Sequence, residues 1–147
     1  MIPFYLVTGF LGSGKTTLLK NILRDWADGK RIAIIQNEFA PTGTDGKELK
    51  REGIPFKLVE VNNGSVFCVC MLGTFIQTVK KLIEEYNPEL IFLEASGLAD
   101  PINIIELLQE NNIKEKLSLS KILCVVDSVN FDKGLNTISR FKHQVMV

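Results

Sequence analysis

Apolar, β-branched runs of strand length recur at residues 4–8 (inside an apolar stretch that starts at Ile2), 31–36, 56–61, 90–94 and 122–127. Helical spacing separates most of them. Residues 15–27 carry Leu18, Leu19, Ile22, Leu23 and Trp26 on one stripe, and residues 72–86 repeat the pattern with Phe75, Ile76, Val79, Leu82 and Ile83. A third helix is predicted over residues 101–109, with Pro101 at its first position and Asp100 as the cap. Strands alternating with helices, several of the strands apolar throughout, predict an α/β fold with a mostly parallel sheet covered on both faces, hence three layers.

Two segments break this rhythm. Residues 37–53 are weakly patterned and long for a connection within a compact domain, which marks a functional loop. Residues 139–147 stop without a capping signal or a glycine. The expectation is a chain cut inside a larger domain, so that residues 1–147 are the N-terminal portion of a fold truncated at its C-terminal side.

Between the first strand and the first helix stands Gly9-Phe-Leu-Gly12-Ser13-Gly14-Lys15-Thr16, a complete phosphate-binding loop. A triphosphate is polyanionic, and such a loop answers it with backbone N–H groups arranged as a nest at a helix N-terminus, where the dipole also favours anions. Gly9, Gly12 and Gly14 let the backbone approach and adopt φ values that a side chain would resist. Ser13 contributes its N–H to the nest, Lys15 reaches the β- and γ-phosphates, Thr16 supplies a hydroxyl to Mg²⁺, and Thr17 contacts the α-phosphate.

Composition narrows the partners. The 147 residues are 46% hydrophobic, enough for one substantial core, and 17 basic residues balance 17 acidic ones. Zero formal charge gives no electrostatic case for nucleic acid. No membrane-spanning run or polybasic cluster is present, and the apolar start lacks the basic region of a signal peptide. Three cysteines, an odd number, suit a reducing cytoplasmic setting better than a disulfide scaffold.

The fourth apolar run ends in a carboxylate with a glycine three residues on: Glu94-Ala-Ser-Gly97-Leu-Ala-Asp100-Pro101. Alone, a strand-end glutamate is usually a solvated cap. Beside a phosphate loop it organises Mg²⁺, often through water, and the glycine N–H senses the γ-phosphate, so the loop becomes a switch.

Together with Asn37-Glu38-Phe39, Asn63-Gly64 and Val125-Val-Asp127, these motifs resemble the CobW-type GTPases, which group with the nickel-insertion GTPases of hydrogenase and urease. The resemblance covers essentially the whole chain. It implies a GTP-hydrolysing metallochaperone or metal-insertion protein that works with GTP and Mg²⁺, handles Zn²⁺, Co²⁺ or a similar ion, and serves a metalloprotein client, with a homodimer or a partner completing the site. It also implies roles for Lys15, Thr16, Glu94 and Gly97 as above, and places Glu38 and Asp45 in the first switch, where a carboxylate ligates Mg²⁺, positions the attacking water or only solvates the loop.

The chain departs from that family at the metal motif. The family's Gly-Cys-x-Cys-Cys is replaced by Gly64-Ser65-Val66-Phe67-Cys68-Val69-Cys70. In an extended segment Cys68 and Cys70 would project to the same side and could share one ion, but zinc takes four ligands, or three and a water. The remainder would come from Glu38, His143 or another chain; the alternative is that both thiols pack as small apolar groups. Pro41 stands where relatives commonly have glutamate. Cys124 is expected buried in its strand, and His143 packed or solvated. The guanine-specifying Asn-Lys-x-Asp element is absent, so preference for GTP comes from the resemblance alone.

The motifs contain no evident arginine finger, so turnover in isolation is expected to be slow. Three rivals remain: a kinase that passes phosphate to a small molecule, a non-catalytic module whose loops are ordered by nucleotide for a partner, and a metal-storage or sensor protein, which rests only on Cys68 and Cys70.

Overall fold

Strand β1 (Ile2–Thr8) leads through the phosphate loop into helix α1 (Lys15–Trp26), followed by β2 (Ile32–Glu38), β3 (Lys57–Asn62), α2 (Val69–Tyr86), β4 (Leu90–Glu94), α3 (Pro101–Gln109) and β5 (Leu117–Cys124). This computed structural model describes residues 1–26, 29–38, 55–62, 69–97, 99–109, 113–132, 135, 142 and 144–146. The strands form one five-stranded sheet in the order β3-β2-β4-β1-β5. Every pairing in it is parallel.

Alternation along the strands divides the core in two. Phe4, Leu6, Ala33, Ile35, Ile91 and Leu93 point to one face, where Phe75, Val79 and Leu82 of α2 and Ile104 and Leu108 of α3 cover them. Val7, Ile32, Ile34, Leu90 and Phe92 point to the other, under Leu19 and Leu23 of α1. Tyr5, Trp26 and Phe92 add ring contacts beneath the end of α1, with the Tyr5 and Trp26 centroids 5.9 Å apart and edge-on. The three layers expected of the pattern are therefore present. The central strand β4 is buried along its whole length, as befits a parallel strand with helices above and below.

At α3, Asp100 Oδ1 accepts from Ile102 N at 3.0 Å, which is the cap read from the sequence. Three elements differ from expectation by more than one residue. β5 begins at Leu117, five residues early, and ends at Cys124. Its register with β1 skips Ser120, since Phe4 pairs with Leu119 and Tyr5 with Lys121. That bulge breaks the period-two alternation, and the strand lies at a sheet edge, where Ser118, Ser120 and Lys121 need not be apolar. β2 runs to Glu38, so Asn37 and Glu38 end a strand and do not open a loop. α2 begins at Val69, three residues early, because Gly73 and a continuous apolar stretch conceal the helical period there.

Candidate nucleotide site

The parallel sheet brings the C-terminal ends of β1, β4 and β5 together. Ala95 N donates to Val7 O at 2.9 Å and Val125 N to Thr8 O at 2.8 Å, which extends both ladders to the edge where the phosphate loop leaves β1. In open parallel sheets, ligands bind outside this edge.

The loop turns on glycines with left-handed φ: 134° at Gly9, 76° at Gly12 and 98° at Gly14. A Cβ on Gly9 would also stand 2.2 Å from Val125 O and 2.9 Å from Ser13 Oγ. Ser13 N donates to Phe10 O at 3.2 Å, closing the loop, and Leu18 N donates to Gly14 O at 2.9 Å, starting α1. The first turn of α1 holds no acidic residue, so its positive end is left for an outside anion. Lys15 is only 8% exposed. Its Nζ donates to Gly9 O at 3.0 Å and Phe10 O at 3.2 Å, so the ammonium is held within the loop itself.

Behind the lysine, Thr16 Oγ1 donates to Glu94 Oε1 at 2.9 Å. Gln36 Nε2 donates to the other carboxylate oxygen at 2.6 Å. Gln36 and Glu94 are register partners in β2 and β4, and both are nearly fully buried. A carboxylate this enclosed is tolerated because charge-assisted donors hold each oxygen. The hydroxyl and carboxylate oxygens are hard donors of the kind Mg²⁺ prefers, and the Thr8 and Ser13 hydroxyls and the Gln36 Oε1 nearby are buried without a partner. The donor set fits a magnesium-bound polyphosphate. Asn37 is also buried, with both polar atoms of its amide unpartnered.

Gly97 lies against the phosphate loop: a Cβ there would meet Leu11 N at 2.5 Å. Only glycine lets the chain after β4 pass so near. On the β5 side, Cys124 pairs in register with Thr8. It is half-buried, not fully buried as expected, because β5 is an edge strand. Burial raises its thiol pKa, and the field of Lys15 opposes that in part. Asp127 begins a turn in which Asn130 Nδ2 at 2.6 Å and Val129 N at 3.0 Å donate to its carboxylate and hold its pKa below the usual value.

Of the residues singled out in the sequence, the structure thus gathers Gly9, Gly12, Ser13, Gly14, Lys15, Thr16, Glu94 and Gly97 at one sheet edge. Thr17 is exposed on the first turn of α1. Asp45, Cys68 and His143 lie outside the described residues. Cys70 lies in the first turn of α2, where the argument from an extended Cys-x-Cys segment does not apply. Among the described residues, no group of three or more His, Cys, Asp or Glu side chains is placed to hold a metal ion.

Residues 3–147 match the family described as CobW/HypB/UreG, nucleotide-binding domain. The chain belongs to this family. It is 41% identical to the zinc chaperone CobW of Sinorhizobium over 90% of its length, and 31% identical to the zinc-regulated GTPase metalloprotein activator 1 of Saccharomyces cerevisiae over 97%. It spans 38% and 34% of those relatives. Among solved structures, the cell division protein FtsY of Thermotoga maritima superposes on the whole chain, covering 51% of that protein, with a TM-score of 0.64 at 20% identity. The signal recognition particle receptor FtsY of Elizabethkingia anophelis does so with a TM-score of 0.63 at 16% identity, over 48% of that protein. These likenesses establish the phosphate-loop α/β fold of the CobW/HypB/UreG domain.

Sequence reasoning missed Gln36, whose part is visible only once β2 and β4 are known to be neighbours. It also missed Gln144, which is 1% exposed and donates through Nε2 to Gly97 O at 3.0 Å and Ala99 O at 2.9 Å. Neither residue belongs to a motif. A glutamine followed by Asn37-Glu38 at a strand end was the one available hint.

Proposed function

We propose that this chain is the nucleotide-binding part of a GTP-hydrolysing metallochaperone that loads Zn²⁺, Co²⁺ or a similar ion into a client metalloprotein in the cytoplasm. The single observation that carries the nucleotide half of this reading is the Thr16–Glu94 hydrogen bond at 2.9 Å, behind a lysine held in a glycine loop. The metal half rests on kinship with relatives named as zinc chaperones.

Thr16 Oγ1, and Glu94 through water, would hold Mg²⁺, which when bound supplies neutralisation of phosphate charge. Lys15 exchanges its carbonyl partners for the β- and γ-phosphates, and the loop amides orient the chain of phosphates for in-line attack by water. Gln36 holds the Glu94 carboxylate in place. Gly97 reports the γ-phosphate, and Glu38 and Asp45 are the candidates for positioning the water. Cys68 and Cys70 are the candidate thiolates for the transported ion, with remaining ligands from Glu38, His143 or a second copy of the chain.

Hydrolysis by the wild type and Glu94→Gln, measured against Mg²⁺ concentration with GTP and ATP in parallel, tests this. The expected result is slow, Mg²⁺-dependent hydrolysis that prefers GTP and falls about 10–100-fold in the variant. Equal rates in the two proteins, or acceleration by a small phosphate acceptor, would replace the GTPase reading with another.

A further inference from the structure

Gly97, in the loop between Glu94 and the cap of α3, is approached from two sides. On one side Gly97 rests against the phosphate loop, so closely that a Cβ would come within 2.5 Å of Leu11 N. On the other side lies Gln144, 47 residues further along the chain. Its side chain is 1% exposed. Nε2 donates to Gly97 O at 3.0 Å and to Ala99 O at 2.9 Å. Gln144 stands on a helical turn in which Met146 N donates to Lys142 O at 3.1 Å.

The choice of side chain is informative. A primary amide is the uncharged group that donates two hydrogens from one nitrogen, and both are used here on carbonyls of the same short loop. Its oxygen is buried without a partner, a cost that an apolar residue would avoid. What the amide gains by its presence is the fixing of those two carbonyls. Ala99 is 1% exposed and its N–H donates to Ser96 O at 2.9 Å, so the loop is a closed turn braced from outside by Gln144 and from inside by Leu11.

We propose that Gln144 is the positioning residue for the loop that reads the γ-phosphate, and that it sets the preference for triphosphate over diphosphate. This rests on the GTPase reading above. Lys15 and the phosphate-loop amides still hold the phosphates that both nucleotides share, whereas Gln144 Nε2 donates to Gly97 O and Ala99 O, in the loop that faces the γ-phosphate. Loss of the brace therefore weakens the triphosphate complex and leaves the diphosphate complex as it was. By linkage, the segment containing Gln144 responds to nucleotide state in the same measure.

The test compares the wild type with Gln144→Met, which keeps the length of the side chain and removes both donors. Affinities for Mg²⁺-bound GDP and for a Mg²⁺-bound non-hydrolysable GTP analogue are measured by fluorescence titration. Loss of two hydrogen bonds predicts about a tenfold or greater loss for the triphosphate analogue and no more than about twofold for GDP. An equal loss for both nucleotides, or none for either, overturns the proposal while the GTPase reading stands. If the wild type binds neither nucleotide, the GTPase reading falls and the proposal with it. Should Gln144→Met not fold, hydrogen exchange of the wild type decides the matter. Protection at residues 95–99 and 142–146 is expected to rise together on exchanging GDP for the analogue; a rise at 95–99 alone overturns the brace.

Discussion

Gln36 and Glu94 face each other in register across β2 and β4, and the amide of one donates to the carboxylate of the other at 2.6 Å. Glu94 is 5% exposed, so this contact decides whether a charge can be kept there and where it points. Removing a donor from a buried charge leaves that charge to bear its own desolvation. Gln36→Met is therefore expected to destabilise the protein by about 1–3 kcal/mol. It should also raise the Mg²⁺ concentration needed for half-maximal hydrolysis. Urea denaturation and a Mg²⁺ titration of the same preparation check both; an unchanged midpoint and Mg²⁺ response would mean that Thr16 alone orients the carboxylate.

The same sheet order explains what the sequence could reveal. The phosphate loop, the strand-end Glu94, Gly97 and the Asp100 cap are local patterns, fixed by offsets of a few residues, and each was legible without knowing the fold. Gln36 and Gln144 act on residues 58 and 47 positions away. Their partners depend on strand order and on the path of the chain after β5, which no local period encodes. The early start of β5 was hidden for a different reason, since the bulge at Ser120 shifts the alternation by one residue.

Gly97 and Gly29 are glycines for different reasons, and substitution should separate them. Gly97 has ordinary φ and no space, since a Cβ there would lie 2.5 Å from Leu11 N, whereas Gly29 has a left-handed φ of 70° and open space. Gly29→Ala is expected to cost about 1–2 kcal/mol through backbone strain alone with nucleotide affinity intact. Gly97→Ala must push the phosphate loop aside, and is expected to cost about 1–3 kcal/mol and to weaken nucleotide binding as well. Thermal unfolding with and without nucleotide distinguishes them, and identical behaviour of the two variants would contradict the steric assignment.

Cys124 reports on the loop from the β5 side. Burial raises its pKa above the ordinary thiol value of 9.0, so the fold favours the protonated form. Stability linked to this group is complete below that ordinary value and is lost as the pH rises through it toward the higher folded pKa. In a Cys68→Ser, Cys70→Ser background, alkylation of Cys124 is expected to be slower than that of an exposed thiol at pH 8. Nucleotide should slow it further, because phosphate charge cancels the field of Lys15 that partly offsets burial. Faster reaction than a free thiol in solution, or faster reaction with nucleotide bound, would contradict this electrostatic picture.

The most direct measurement is a zinc and cobalt titration of the reduced protein in three states: nucleotide-free, with GDP and Mg²⁺, and with a non-hydrolysable GTP analogue and Mg²⁺, beside the Cys68→Ser, Cys70→Ser variant. A nucleotide-switched metallochaperone predicts metal affinity that differs between the GDP and triphosphate states and is lost with the two thiols. Identical metal affinity in all three states, indifferent to the thiols, would contradict it.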